Sequence, residues 1–201
     1  NKEGHEALRI LSSKAWENSF YTGTMERVPT VKKDLEDIVK RFPNTLIATT
    51  ACLGSESSIY ILEAHKAKLE GNHQKQQYNL KKLVDFIEWN INLHGKENFY
   101  LELQPSADYE QATVNKTLVQ LSKQYGLKMI VTNDAHYQRP SDMSIHGAYL
   151  NSKQDERETE SFYAHTYLHT VNEIYEKMSY LDKDVIKEAI HNTVVIGHMI
   201  E

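Results

Sequence analysis

The chain is poor in the residues that cross-link or bend a protein, with one cysteine and four prolines among 201 residues. Because Cys52 stands alone, no intramolecular disulfide can form, which agrees with a reducing compartment such as the cytoplasm. No apolar run approaches the roughly 20 residues that a membrane-spanning helix needs. These absences predict a cytoplasmic protein that does not contact a membrane.

The chain also has no excess of positive charge. It contains 23 lysines and arginines against 28 aspartates and glutamates, which gives a net charge of −5 and a pI near 6.1. Overall electrostatics therefore do not attract nucleic acid, and a contact with DNA needs a local basic group. Arg139, directly before Pro140, is one candidate, and a surface turn residue without a ligand explains it as well.

The hydrophobic pattern predicts helices alternating with strands. Helical spacing covers residues 2–18, 31–42, 57–94 with a possible interruption at 71–77, 108–126, 171–178 and 183–200; strand-like runs cover 44–52, 98–104 and 128–136. Residues 20–30 contain glycine and proline and are expected to form a loop. The nearly continuous apolar and small residues of 44–52 predict a strand buried on both faces. The order predicts an α/β fold with parallel strands and right-handed helical crossovers, as an open sheet or a barrel.

Several residues with metal-binding side chains stand where predicted strands end, which is where parallel α/β folds place functional groups. Asp134 and His136 are two positions apart and would face the same way if the strand continued through both. A carboxylate and an imidazole together bind Zn²⁺, Mn²⁺ or Fe²⁺. Cys52, at the end of another strand, is a candidate thiolate ligand. In the alternative interpretation, Asp134 caps a helix, His136 is a surface histidine and Cys52 is a small buried residue.

The motifs TACLGSE (50–56), NFYLELQ (98–104) and the stretch from 110 to TNDAHY at 132–137 occur together and in this order. With them, the chain resembles the PHP (polymerase and histidinol phosphatase) domain of the bacterial or phage DNA polymerase III alpha subunit, in its C-terminal portion. The opening NKEGHEALRILSSKAW and the later runs HGAYLNSKQ and FYAHTYLHTVNEIYEKM resemble the same family. The resemblance therefore extends over nearly the whole chain.

This resemblance implies part of a distorted βα (TIM-like) barrel with a helical C-terminal tail and a metal cluster at the strand ends. Cys52, Asp134 and His136 match family ligands of a divalent metal such as Zn, Mn or Mg. Arg27 matches a region where family members often carry a basic residue before a proline turn, which implies either a contact with nucleic acid or simple packing. The family activity is phosphoester hydrolysis, in some members 3′–5′ exonuclease proofreading, within a DNA-directed DNA polymerase. DNA and other replisome subunits are the implied partners.

The family's early His-x-His motif is missing, and no His-x-His occurs anywhere in the chain. Together with the absent initiator methionine, this predicts an excised piece. Its expected parts are an incomplete PHP domain at 1–160 and, at 161–201, a helical segment that leads toward a polymerase core. Such a piece is expected to be inactive or weak. It is also expected to self-associate through exposed strand edges, or else to form an open three-stranded sheet covered by helices.

The sequence leaves two alternatives to a metal-dependent domain. In the first, the domain is a metal-free scaffold that binds partners and supports the polymerase. In the second, the chain is a stand-alone phosphoesterase, although the Cys-Leu-Gly turn and the helical C-terminal segment argue against this. We expect Glu102 to face a barrel interior paired with a basic residue, and the aromatic pair at 162–163 to be core. HTYLH (165–169) lies too late in the chain to match a family ligand.

Overall fold

The computed structural model describes residues 1–151 and 162–200 and shows an α/β protein in which helices predominate. The helices are α1 (Lys2–Glu17), α2 (Lys32–Arg41), α3 (Glu56–Leu69), α4 (His73–His94), α5 (Tyr109–Tyr125), α6 (Met143–Asn151), α7 (Val171–Lys177) and α8 (Lys183–Met199). The strands are β1 (Phe20–Thr22), β2 (Met25–Arg27), β3 (Ala48–Thr49), β4 (Phe99–Leu103) and β5 (Met129–Val131). Short 3₁₀ turns occur at Pro140–Asp142 and Phe162–His165.

Strands β3, β4 and β5 form a parallel sheet in that order, with Ala48 opposite Phe99 and Leu101 opposite Met129. This confirms the predicted parallel strands joined by helices. The described ranges contain no closed barrel, so the structure shows an open sheet. β3 is shorter than predicted and only half buried, because it pairs with β4 alone within these ranges and lies at an edge of the sheet.

The expected loop at 20–30 is wrong, because β1 and β2 pair there as an exposed antiparallel hairpin. Gly23 adopts a φ of +60° at the first position of the two-residue turn, which glycine permits without strain. The interruption expected in the long helix of 57–94 is confirmed. α3 ends at Leu69 and α4 begins at His73, with Gly71 between them at a φ of +70°.

One hydrophobic core packs around the central strand β4. Phe99, Leu101 and Leu103 are completely buried. They belong to a cluster with residues of α3, α4, α5, α7 and α8, among them Ile61, Ile87, Leu118, Ile174 and Ile186. Residues on both sides of the predicted boundary at 160/161 therefore contribute to the same core. None of the helices in the described part of the chain is both long and apolar enough to cross a membrane.

Helix α8 covers the outer edge of β5 with side-chain hydrogen bonds. Asn192 Nδ2 donates to Met129 O over 2.8 Å, Thr193 Oγ1 accepts from Val131 N over 3.2 Å, and the same hydroxyl donates to Val131 O over 2.9 Å. Backbone groups that a free strand edge would leave open are thereby satisfied. This matches the open sheet covered by helices, which was the expected alternative to self-association.

Replacing Thr193 with valine is expected to lower the free energy of unfolding by about 1–2 kcal/mol, because the backbone N–H and C=O of the buried Val131 lose their partner. The side chain keeps its shape, so the loss reports the hydroxyl alone. Urea unfolding measures the effect. Thr193→Ser is the matched control, since it keeps the hydroxyl and should retain most of this contribution. Equal stability of Thr193→Val and the wild type would contradict the edge-capping role.

Tyr180 joins the C-terminal segment of residues 162–200, called the tail below, to the residues that follow β4 through a partly buried phenol. Its hydroxyl donates to Ser106 O over 3.0 Å and accepts from Asn115 Nδ2 over 2.7 Å. Burial disfavours the phenolate and raises the pKa of Tyr180 to about 12 from an ordinary value of 10.0. The unfolded chain therefore loses this proton at a lower pH than the folded chain.

The contribution of Tyr180 to stability is fully present below pH 10 and is lost as the pH rises toward about 12. The free energy of unfolding of the wild type should therefore fall more steeply across this window than that of Tyr180→Phe, which has no proton to lose. Chemical unfolding at a series of pH values measures both slopes. Parallel curves for the two proteins would contradict the raised pKa.

Candidate functional site

The Glu102 carboxylate ties the three strands together near their C-terminal ends. It accepts hydrogen bonds from Thr49 Oγ1 and Thr132 Oγ1, both over 2.5 Å, and from Gln104 Nε2 over 3.2 Å. It makes no ion pair within the described ranges, so the predicted pairing with a basic residue is wrong. Two hydroxyl groups and an amide stabilise the carboxylate charge instead. The bond from Thr132, the residue directly after β5, also fixes where the chain leaves this strand.

A turn, rather than a continuing strand, brings Asp134 and His136 together. β5 ends at Val131, and Asp134 adopts a φ of +46°, so the expectation that the strand runs through both residues is wrong. Even so, Asp134 Oδ1 lies 3.7 Å from His136 Nε2. The two side chains are 26% and 36% exposed, which leaves them accessible to a ligand from solvent. The structure thus pairs the two predicted ligands by a different backbone geometry.

The segment 162–170 holds this turn in place. Thr166 O accepts hydrogen bonds from His136 N over 2.7 Å and from Tyr137 N over 3.3 Å. Asn133 Oδ1 accepts one from His169 N over 3.2 Å. Since these bonds reach the residues on both sides of Asp134, the segment determines how the Asp134–His136 pair is presented.

His165 and Asp108 line one pocket together with Asp134, and neither was predicted from the sequence to be a site residue. His165 Nε2 is 3.4 Å from Asp108 Oδ1, and its buried Nδ1 has no hydrogen-bond partner among the described residues. Both residues line a narrow pocket of about 20 Å³ together with Leu53, Gln104, Pro105, Ser106, Gln111, Asn133, Asp134 and Thr166. Such a volume accommodates one water molecule. The two histidines of HTYLH (165–169) were the sequence feature that pointed to this site. Their late position in the chain argued against a role, but the fold places His165 in the same pocket as Asp134.

Cys52 lies in the turn after β3 as a half-buried free thiol. Within residues 1–151 and 162–200, no three side chains of the His, Cys, Asp and Glu types come close enough to hold a metal ion. Cys52 therefore does not join Asp134 and His136 in such a group. The described residues offer a carboxylate and an imidazole, whereas protein zinc sites use three or four protein ligands. The pair fits part of a ligand set, and the role of Cys52 stays a prediction.

The two arginines predicted to contact nucleic acid occupy different elements. Arg27 is the exposed last residue of β2 in the hairpin. Arg139 is exposed three residues after His136, and its backbone N–H donates to Asp142 Oδ2 over 3.1 Å. Arg139 is thus close to the Asp134–His136 pair along the chain, and the nucleic-acid role of both arginines stays a prediction.

Aromatic rings surround His136. The centroid of its ring lies 5.3 Å from that of Tyr163 and 5.6 Å from that of His146, and the latter two are 4.8 Å apart, all with edge-on geometry. Burial, and then the nearby His136, lowers the pKa of His146 below its ordinary value. Tyr163 is only half buried, so the expectation that the aromatics at 162–163 are core is wrong for this residue.

The sequence is similar over almost its whole length to one segment of DNA polymerases. It is 53% identical over 199 residues to "Probable DNA polymerase YorL" of Bacillus subtilis (strain 168) and equally to "DNA-directed DNA polymerase" of Bacillus phage SPbeta, covering 99% of this chain and 15% of each relative. It is 28% identical over 211 residues to "DNA polymerase III subunit alpha" of Helicobacter pylori (strain ATCC 700392 / 26695), covering 98% of this chain and 15% of that protein. No protein-family model matches the sequence. The chain thus spans about 15% of the length of these relatives.

Proposed function

We propose that this chain is a segment of a DNA polymerase that acts in DNA replication, equivalent to part of the PHP domain of the DNA polymerase III alpha subunit. The 53% identity to a phage DNA-directed DNA polymerase along 99% of the chain supports this. The longer protein would be a nucleotidyltransferase that acts on DNA in the cytoplasm beside other replisome subunits. The helices and parallel strands of the segment would position its functional side chains.

Within that protein, the segment contributes to a metal-dependent phosphodiesterase centre of the 3′–5′ exonuclease type. The single observation that carries this proposal is the Asp134–His136 pair at the end of β5, with 3.7 Å between Oδ1 and Nε2. One carboxylate oxygen and one imidazole nitrogen suit Zn²⁺ or Mn²⁺, and the carboxylate alone suits Mg²⁺. Such an ion supplies a water of lowered pKa and offsets charge on phosphoryl oxygens.

The chain's own residues orient this pair. Glu102 fixes the end of β5 through Thr132, and Thr166 fixes the backbone of His136 through its carbonyl oxygen. His136 is thereby held with Nε2 toward Asp134. This preorganisation reduces the entropy that the two side chains lose when they bind an ion.

A metal-free scaffold is the second candidate function. It is favoured by the absence of any group of three metal-binding side chains among the described residues. In that case, the segment would support the polymerase and bind partners without chemistry of its own. The ordinary hydrogen bonds that hold the turn 132–137 would then be purely structural.

A segment exchange distinguishes the two functions. This chain replaces the corresponding segment in the 53% identical phage polymerase, and DNA synthesis and chelator-sensitive 3′–5′ exonuclease activity are both measured. We expect synthesis to be retained, and Asp134→Ala to abolish the exonuclease activity while synthesis continues. Loss of synthesis in a folded chimera would contradict the polymerase assignment. Exonuclease activity that is absent or independent of Asp134 would favour the scaffold.

A further inference from the structure

A second, larger pocket opens beside the Asp134–His136 pair. Its free volume is about 430 Å³, and it is lined by Pro140, Ser141, Met143, Ser144, His146, Gly147 and Tyr163. None of these lining residues is an acid, a lysine or an arginine. The lining therefore combines an imidazole, a phenol, a thioether and two serine hydroxyl groups. We refer to it as the 140–147 pocket.

We propose that the 140–147 pocket binds the base of the terminal nucleotide of single-stranded DNA. Tyr163 and His146 offer aromatic surfaces for stacking, and stacking accepts every base because each has a π face. Met143 adds a polarisable apolar contact. The hydroxyls of Ser141 and Ser144 provide donors and acceptors that suit the polar edges of a base.

The position of the pocket relative to His136 supports this occupant. Tyr163 and His146 line the pocket, and their ring centroids lie 5.3 and 5.6 Å from that of His136. The pocket thus shares two of its lining rings with the surroundings of His136. In a nucleotide, one sugar separates the base from its phosphate. A base that contacts these two rings would therefore have its own phosphodiester near the Asp134–His136 pair.

The charges nearby agree with this orientation. Because its lining carries no cationic side chain, the pocket itself is unsuited to a phosphate. Arg139 precedes the pocket in sequence and is exposed. It is placed to meet the backbone of the strand outside the pocket. This inference rests on the proposed function, because the pair gives the bound phosphodiester its reactive site.

Photo-crosslinking locates the base directly in the wild-type chain. A short single-stranded oligonucleotide carries 5-iodouracil at its 3′ end, and a second oligonucleotide carries it at its 5′ end. After irradiation, the modified peptides are mapped by mass spectrometry. We expect the 3′-labelled strand to modify Met143, His146 or Tyr163. Crosslinks elsewhere only, or from the 5′-labelled strand alone, would overturn the proposal.

Equilibrium binding of a fluorescein-labelled oligonucleotide at low salt provides the second measurement. Tyr163→Ala should weaken binding about ten-fold, whereas Tyr163→Phe, which keeps the ring, should change it by less than about three-fold. Tyr78→Ala removes an exposed tyrosine of α4 that does not line the pocket, and it should leave binding unchanged. Equal affinities of Tyr163→Ala and the wild type would overturn the proposal.

All these binding experiments are performed in EDTA, so that they do not depend on a metal. Base binding that persists in EDTA, together with a chimeric polymerase that has no Asp134-dependent exonuclease activity, would reject the metal centre and retain the pocket. Exonuclease activity that depends on Asp134, without crosslinks in the pocket, would retain the metal centre and reject the pocket. Failure of the proposed function and failure of this inference are therefore distinguishable.

Discussion

Replacing Asp134 with alanine is expected to weaken Zn²⁺ binding to this chain by more than about ten-fold. Loss of an outer partner of a metal ligand typically costs 10–100-fold in affinity, and loss of a direct ligand should cost at least as much. The physical reason is that Asp134 supplies the only negative charge of the pair, with Oδ1 3.7 Å from His136 Nε2. Isothermal titration calorimetry near pH 7 measures the affinity and the stoichiometry.

Two further variants make this result specific. His136→Ala should weaken binding to a similar extent, because it removes the second donor of the pair. Asp85→Ala removes an exposed carboxylate of α4 and should leave the affinity unchanged, although the net charge changes by the same amount. Equal affinities of Asp134→Ala, Asp85→Ala and the wild type would show that Asp134 is not a ligand.

Replacing Leu101 with alanine is expected to lower the free energy of unfolding by about 2–5 kcal/mol, the usual cost of removing a completely buried leucine side chain. Leu101 is 0% exposed in the central strand β4, and its cluster includes residues of five helices. The cavity would therefore form where the sheet, the crossover helices and the tail meet. Urea unfolding followed by circular dichroism measures the loss.

Leu8→Ala is the matched control for this core variant. Leu8 lies on α1 and is 54% exposed, so the same chemical change should cost less than about 1 kcal/mol. A small and equal loss for both variants would mean that β4 is not the centre of the core. Two separate transitions in the circular dichroism signal of the wild type would show that part of the helical structure unfolds independently of this core.

Local patterns predicted the helices well because both periodicity and end signals are local. α1, α2 and α5 lie within one or two residues of the predicted ranges. Gly126 ends α5 in the left-handed conformation with a φ of +65°, as a glycine in that place indicates. The central strand β4 was also predicted to within one residue at each end, because it is apolar and bounded by polar residues.

Long-range contacts determine the features that the sequence did not reveal. The 20–30 stretch forms a hairpin because two short runs pair across Gly23, and turn residues alone suggested a loop. The strand predicted at 128–136 stops at Val131, where Thr132 turns toward Glu102, 30 residues away in sequence. No local pattern encodes such a contact.

In the candidate site, too, neighbours in sequence could be predicted, whereas long-range partners could not. Asp134 and His136 were identifiable because they are close in sequence, and the structure keeps them close in space. Glu102 was assigned a basic partner, whereas its partners Thr49 and Thr132 come from two other parts of the chain. His165 reaches Asp108 across more than 50 residues. The residue types suggested metal binding, but only the fold shows which side chains lie close to one another.

Anomalous X-ray diffraction from crystals of this chain soaked in ZnCl₂ would show whether Asp134 and His136 bind a metal ion. We expect a peak between Asp134 and His136, with roughly 2.0–2.2 Å from the ion to the carboxylate oxygen and about 2.0–2.1 Å to Nε2. Any further protein ligand would be visible in the same map and would test Cys52. A map with no peak at this pair, or with zinc bound only elsewhere, would mean that Asp134 and His136 do not form a metal site.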